Sequence, residues 1–197
     1  MKKLVIISSM AIISLIIACS EKKATVKESP NPEAANVELS NSALIKRGQY
    51  LVTIMGCHDC HSPKIMTAKG PEPDPERLLS GHPANESLPK VDKKATQNWV
   101  LFSMGMTAIK RPWGMSFTAN LTPDETCIGN WTLDNFKKAF REGKYKGLDG
   151  SRELLPPMPW QMFAATSDED TKAIFTYLKS IKPIKNLVPA PKTPDQL

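Results

Sequence analysis

The stretch Cys57-His58-Asp59-Cys60-His61 places two thiols and an imidazole within five residues. If the segment is helical, the thiols at i and i+3 and the imidazole at i+4 share one face. Two thiols on one face can bond the two vinyl groups of a single porphyrin, and the adjacent imidazole then lies over the iron. The spacing C-x-x-C-H is the attachment signature of c-type haem. The stretch therefore predicts one covalent haem c on Cys57 and Cys60, with His61 as an iron ligand. The other ring N–H of His61 is expected to donate to a backbone carbonyl that fixes its orientation.

The start of the chain has the pattern of an export signal. Two lysines precede an apolar run from Leu4 to Ala18, which is short for a membrane span. The run ends Leu15-Ile16-Ile17-Ala18-Cys19, which resembles a bacterial lipobox. The resemblance implies a lipoprotein signal peptide over 1–18 and lipid chains on Cys19. The alternative is an ordinary cleaved signal peptide. We expect an exported lipoprotein of the cell membrane or outer membrane that faces the periplasm.

Residues 19–40 are mostly Ser, Glu, Lys, Asn, Pro and Ala, which predicts a disordered tether. About 20 flexible residues reach roughly 25 Å. The cytochrome domain is then expected over 41–183, with a Pro-rich tail over 184–197. The tail is interpreted as an extended strap or a loose end.

Apolar residues at helical spacing predict a helix over 41–56 that leads directly into the haem motif. Ser40 or Asn41 can cap its start. Gly48 lies on the apolar face, where it would allow another helix to approach closely. The alternative is a glycine merely tolerated at the helix surface.

The middle of the chain is poor in regular signals. Residues 62–95 contain six prolines, which predicts a loop insertion. Its His82 is a possible iron ligand, although a lone loop histidine is more typical of the surface. Residues 96–106 are apolar but short, so helix and strand are both possible, with a short helix favoured. Residues 111–126 are interpreted as a loop because Pro and Gly interrupt them.

Two further helices are predicted near the C-terminus. The first covers 132–142, is capped by Thr132 and ends at Gly143. A loop over 143–166 follows. The second helix begins after Ser167 in a Ser-x-x-Asp capping box and stops before Pro183.

The second axial ligand of the iron must come from outside the motif. Met158 is the favoured candidate, because Pro157 and Pro159 flank it and restrict its backbone. A thioether ligand favours the ferrous state and raises the redox potential. The alternative is that Met158 only fills the core. The rival ligands are Met115, Met162 and His82.

Several stretches resemble class I c-type cytochromes, and in particular the haem domains of cytochrome subunits of bacterial alcohol dehydrogenases and related exported mono-haem cytochromes. They are Arg47–Val52 leading into Cys57–His61, Asn120–Glu125, Gly129–Trp131, and Met158–Trp160 followed by Ser167–Asp170. The resemblance implies an all-α, class I cytochrome c fold, whose first and last helices cross beside the haem. It also implies His/Met ligation, with the axial sulfur on Met158.

The sequence departs from that pattern in three places. Those subunits usually carry several haems, whereas one C-x-x-C-H is present here, so one haem is expected. Cys127 stands where the family often has Gly, and we interpret it as a free, partly buried thiol. Covalent dimerisation and a sensor role are its alternatives. The stretch 62–95 does not follow the family pattern closely.

The net charge of +6 falls to +4 without Lys2 and Lys3, and no Lys/Arg run predicts a nucleic-acid partner. We therefore expect a lipid-anchored electron-transfer protein rather than an enzyme. This protein would exchange electrons with redox partner proteins or belong to an oxidoreductase complex.

Lys64, Lys69, Lys110 and Arg111 could surround the haem edge. The alternative for each of them is an ordinary solvated surface charge. The alternatives to an electron-transfer protein are a haem enzyme or small-ligand sensor with a displaceable sixth ligand, and a dithiol at Cys57 and Cys60. A further alternative is a zinc site on Cys57, Cys60 and His61 with His82 or Cys127.

Overall fold

The structure, a computed structural model, describes residues 39–92 and 94–197. The predicted signal peptide, Cys19 and the tether up to residue 38 lie outside the described residues. In the described part, helices α1 to α5 span Asn41–Ile54, Cys57–His61, Leu133–Glu142, Trp160–Phe163 and Asp168–Ser180. Strands β1 to β5 span Lys64–Thr67, Gly70–Pro73, Leu101–Phe102, Ala108–Arg111 and Gly114–Phe117.

Helix α1 begins where the sequence predicts and is followed, after a short turn, by α2. The Ser40 hydroxyl accepts a hydrogen bond from the Ala43 amide at 3.3 Å, which satisfies one free donor of the first turn. The helix ends at Ile54. Gly56 then takes a left-handed conformation with φ of 68°, which a residue without a Cβ adopts at little cost. This turn allows α2 to start immediately.

Helices α1 and α5 pack against each other, as the family resemblance implies for the first and last helices. A Cβ built at Gly48 would collide with the backbone carbonyl of Ala173 and with Tyr177. The predicted close approach of a second helix at Gly48 is therefore confirmed. At the same crossing, the guanidinium of Arg47 donates to both carboxylate oxygens of Asp170, at 2.8 and 3.1 Å.

Helix α3 has the predicted bounds and packs against the same core. Thr132 and Asn135 form a reciprocal capping box at its start, and Gly143 ends it in a left-handed conformation with φ of 68°. The buried residues that unite the helices, called the core cluster below, come from α1, α3, α5 and two connecting segments. They are Leu51, Val52, Leu79, Ile128, Phe136, Phe140, Ile174 and Leu178.

The expectation of an all-α fold is corrected by two small antiparallel sheets. Strands β1 and β2 form a hairpin inside the predicted loop insertion, and β3, β4 and β5 form a three-stranded sheet. The short helix favoured for 96–106 is wrong, because 101–102 pair with β4 as a strand. The loop predicted over 111–126 is wrong at 114–117, which form β5. Pairing between distant residues stabilises these strands, and local propensity does not reveal it.

The C-terminal tail is an ordered strap. Asn186 donates its amide hydrogens to the carbonyls of Ser80 and His82, at 2.7 and 2.9 Å. Further along, Lys192 and Met115 exchange two backbone hydrogen bonds. These bonds tie the tail to the segment that follows β2 and to the edge strand β5, as an extended strap would be.

Candidate functional site

The two thiols of the motif lie on a helix, as the spacing predicts. Cys57 and Cys60 are half-buried, free thiols at i and i+3 of α2. Burial raises the pKa of both thiols, and raises that of Cys57 to about 11. The side chain of Cys57 also packs against the core cluster. Both thiols are thus placed at the boundary between the apolar interior and the surface.

The imidazole of His61 is oriented by a backbone carbonyl. Its Nδ1 lies 2.7 Å from the carbonyl oxygen of Ala119. Because a carbonyl oxygen only accepts, Nδ1 carries the proton, and the hydrogen bond leaves Nε2 for a metal. Burial lowers the pKa of His61, which favours the neutral ring that a metal requires. The amide of Gly81 fixes the backbone of the same residue by donating to its carbonyl at 2.8 Å.

Lys64 closes the C-terminal end of α2. Its ammonium group donates to the carbonyls of His58, Asp59 and Ser62, at 3.0, 2.9 and 2.7 Å. The carbonyl of His58 also accepts from the amide of Ser62, at 3.2 Å. Carbonyls at the end of a helix attract a cation, which the helix dipole also favours there. Of the four cations considered for the haem edge, Lys64 is therefore committed to backbone carbonyls, and Lys110 is buried.

Met158 lies in the loop that precedes α4 and is half-buried. Its side chain packs against the core cluster, as that of Cys57 does. The rival ligands have other surroundings. Met162 is 75% exposed, and Met115 lies in β5, where it is paired with Lys110 of β4 and exchanges two backbone bonds with Lys192 of the tail.

His82 does not lie on the surface, so the interpretation of a surface histidine is wrong. It is 1% exposed, its Nδ1 lies 2.9 Å from the hydroxyl of Thr107, and its ring stacks on Phe117. Residues distant in sequence supply both contacts, which is why a loop histidine gave no sign of burial. Burial lowers the pKa of His82 to about 4.

Cys127 is half-buried and packs against the core cluster. Burial raises the pKa of its thiol to about 11. In the part of the chain that the structure describes, no group of three or more His, Cys, Asp and Glu side chains is arranged to hold a metal ion. The zinc site considered from the sequence needed His82 or Cys127 as its fourth ligand. In the structure, His82 contacts Thr107 and Phe117, and Cys127 packs against the core cluster.

The residues present fit a covalent haem. Two thiols lie on one helical face, and the neighbouring imidazole has one nitrogen held by a carbonyl. The two thiols and this imidazole were predicted from the sequence, and Met158 stays a prediction as the second iron ligand. The role of Lys64 was missed, because main-chain acceptors leave no compositional signal. The predicted backbone carbonyl on the second ring nitrogen of His61 is present, but the sequence did not identify it as that of Ala119. The only hint was that Ala119 directly precedes the stretch Asn120–Glu125, on which the family resemblance rests.

The chain is similar to subunits of several dehydrogenases. It is 32% identical over 77% of its length to the cytochrome c subunit of the quinone alcohol dehydrogenase of Gluconobacter oxydans. It is 33% identical over 70% of its length to the cytochrome c subunit of gluconate 2-dehydrogenase of Pantoea cypripedii. Over 47% of its length it is 39% identical to the cytochrome subunit of fructose dehydrogenase of Gluconobacter japonicus.

The chain matches only a part of each of these proteins. The matched regions cover 24%, 23% and 18% of the three relatives. No protein-family model matches the chain. Among the residues that the structure describes, no helix has the length and apolar character needed to cross a membrane.

Proposed function

We propose that this chain, a c-type cytochrome similar to the haem domains of dehydrogenase cytochrome subunits, transfers single electrons between redox partner proteins. The observation that carries the proposal is the hydrogen bond from His61 Nδ1 to the Ala119 carbonyl beside the two thiols of α2. Haem c, when bound, supplies an iron that alternates between its ferrous and ferric states. One haem is proposed, because the sequence contains one C-x-x-C-H.

Each residue of the motif has a distinct role in this proposal. Cys57 and Cys60 form the thioether bonds, and His61 binds the iron through Nε2. The carbonyl of Ala119 keeps that ring neutral and fixes its orientation. Lys64 stabilises α2 by donating to its last carbonyls. A helix held in this way changes its geometry little between redox states, which suits electron transfer.

Met158 is proposed as the second axial ligand. Pro157 and Pro159 fix two backbone φ angles beside it, and its side chain packs against the core cluster. A ligand set by protein packing keeps both axial positions closed. That arrangement favours an electron carrier over a haem enzyme or a small-ligand sensor, which need an open or displaceable position.

The location and partners are also part of the proposal. Lipid chains on Cys19 would anchor the domain to a membrane outside the cytoplasm, and the segment 19–40 would be its tether. The relatives are subunits of alcohol, gluconate and fructose dehydrogenases. We therefore infer that a dehydrogenase donates electrons to this chain. Replacing Cys19 with Ala should release the protein from the membrane fraction. Retention of the variant in that fraction would contradict the lipid anchor.

The haem and its ligands are tested spectroscopically in the full chain produced with a haem c maturation system. A pyridine haemochrome spectrum should show one haem per chain with both vinyl groups saturated. The oxidised protein should have the weak far-red band of a sulfur–iron bond. Met158→Ala should abolish the band, while the matched change Met162→Ala, at an exposed methionine, should leave it intact. A chain without covalent haem would overturn the proposed function.

The enzyme and sensor alternatives are separated by ligand binding. The untreated reduced wild-type protein should bind carbon monoxide slowly or not at all, whereas Met158→Ala should bind it rapidly. Rapid binding by the wild type would favour a displaceable sixth ligand. It would argue against an electron carrier with two fixed axial ligands.

A further inference from the structure

Two buried side-chain atoms in the described part of the chain have no hydrogen-bond partner, Nε of Arg111 and the hydroxyl oxygen of Thr118. An unsatisfied buried polar group destabilises the folded state, and more so when it is charged. Folded proteins therefore rarely retain such groups unless something outside the polypeptide satisfies them. Both atoms belong to one hairpin, since Arg111 ends β4 and Thr118 directly follows β5.

The pairing of β4 with β5 places the two residues on one face of the hairpin. Arg111 pairs with Gly114 and Ile109 pairs with Ser116, while the amide of Thr118 continues the ladder by donating to the carbonyl of Thr107. Because side chains alternate between the faces of a sheet, Arg111 and Thr118 share the face that carries Ile109 and Ser116.

This face connects the two sides of the proposed haem site. At one end, Ala119 follows Thr118 and accepts the hydrogen bond of His61 Nδ1. Along the same face, the Ser116 hydroxyl donates to the carbonyl of Pro156 at 3.3 Å, two residues before Met158. Thr118 therefore lies beside the segment that holds the proximal ligand, and Arg111 lies beyond Ser116, on the side of the face that reaches the loop of the proposed distal ligand.

We propose that Arg111 and Thr118 bind the propionate carboxylates of the haem, an inference that rests on the proposed function. A carboxylate accepts hydrogen bonds from a guanidinium N–H and from a hydroxyl, so it suits both donors. The guanidinium also supplies the positive charge that a partly buried carboxylate needs. The guanidinium carbon lies 5.0 Å from the centre of the Trp113 ring, and this cation–π contact restrains its position.

The binding of propionates predicts a measurable effect on redox behaviour. A nearby guanidinium lowers the pKa of a carboxylate and opposes the additional positive charge of oxidised iron. Losing it should therefore lower the midpoint potential at pH values where the propionates are ionised. It should also move the pH-dependent part of the potential curve upward by roughly one pH unit or more.

The test measures the midpoint potential against pH in the full-length holoprotein, together with the haem content of each variant. Arg111→Gln should show both effects, and Arg111→Lys, which keeps the charge, should show smaller ones. Thr118→Val should move the pH-dependent part upward with no change of charge. The matched control is Arg152→Gln, because Arg152 also stacks on an aromatic ring, 3.9 Å from that of Tyr145, but lies outside this hairpin. The control should leave the curve unchanged.

The outcomes distinguish this proposal from the function on which it rests. A wild-type chain without covalent haem defeats the proposed function and this inference with it. Haem at wild-type content in Arg111→Gln, with a potential curve no different from that of Arg152→Gln, defeats this inference alone. If Arg111→Gln does not retain haem, the proposal is tested by the potential curves of Arg111→Lys and Thr118→Val. Wild-type curves for both of them defeat the proposal, and shifted curves support it.

Discussion

Gly48 of α1 lies directly against the main-chain carbonyl of Ala173 of α5, at a separation that leaves no room for a Cβ atom. The two helices that frame the haem motif therefore meet backbone to backbone at this point. Close contact there fixes the position of α1, and α1 leads through Gly56 into the helix that carries the thiols. The crossing thus determines where the cofactor residues lie relative to the core cluster.

Replacing Gly48 with Val should destabilise the fold strongly. The side chain would collide with the carbonyl of Ala173 and with Cβ of Tyr177, neither of which can rotate away. We expect a loss of about 3 kcal/mol or more in the free energy of unfolding, measured by urea denaturation. Gly105→Ala is the control, because its nearest neighbour lies at an ordinary contact distance of 3.6 Å. A Gly48→Val variant as stable as Gly105→Ala would contradict this account of the crossing.

The stability of the protein should fall as the pH is lowered from about 6.5 toward about 4, because of His82. Burial lowers the pKa of His82 to about 4 in the folded state, so the unfolded chain binds more protons in this window. The contribution of neutral His82 to the free energy of unfolding is complete above the pKa of the unfolded state. It is lost as the pH falls to the pKa of the folded state. The carboxylate of Glu86 lies 4.0 Å from Nδ1 of His82 and opposes this lowering of the pKa. Lys110 lines one cavity together with His82 and Glu86. The expected loss is about 3 kcal/mol by urea denaturation at a series of pH values.

His82→Gln serves as the control for this pH dependence. A glutamine retains a side chain that can hydrogen-bond to Thr107 but does not titrate. The variant should be less stable than the wild type at pH 7 and should lose much less stability between pH 6.5 and 4. Equal slopes in the two proteins would show that another group causes the acid sensitivity.

Cys127 should react slowly with alkylating reagents in the folded holoprotein. Burial raises the pKa of its thiol to about 11, so little thiolate is present near neutral pH. After denaturation, mass spectrometry should find one added alkyl group in residues 39–197, on Cys127, because Cys57 and Cys60 are proposed to be bonded to haem. Three added groups in that region would contradict the thioether bonds. Rapid labelling of the folded protein would contradict the burial of Cys127.

The helices and the haem motif could be predicted because their signals are local. The caps Ser40, Thr132 and Ser167 precede periodic apolar residues, and each of these helices begins where its cap indicates. One cap differs in detail. Asp170 was expected to complete a capping box with Ser167, but its carboxylate binds Arg47 of α1. The ion pair of Asp170 with Arg47 could not be predicted, because it forms only where α1 and α5 meet.

The strands and the supporting contacts of the site could not be predicted, because they depend on residues far apart in sequence. The sheet of β3, β4 and β5 consists of short strands, with Pro112 between β4 and β5 and Gly114 at the start of β5, a composition typical of a loop. The burial of His82 depends on Thr107 and Phe117. The orientation of His61 depends on a carbonyl 58 positions away. A sequence therefore identifies the groups that carry out the chemistry more readily than those that hold them in place.

The C-terminal strap should stabilise the whole domain through Asn186. Its amide nitrogen donates to the carbonyls of Ser80 and His82, and its amide oxygen accepts from Ala84 at 3.0 Å. Asn186→Ala would leave these backbone groups without partners, so we expect a loss of about 2–3 kcal/mol in the free energy of unfolding. Asn85→Ala, at an exposed position in the same segment, should change stability by less than about 0.5 kcal/mol. Equal stability of the two variants in urea denaturation would mean that the strap rests on the domain without stabilising it.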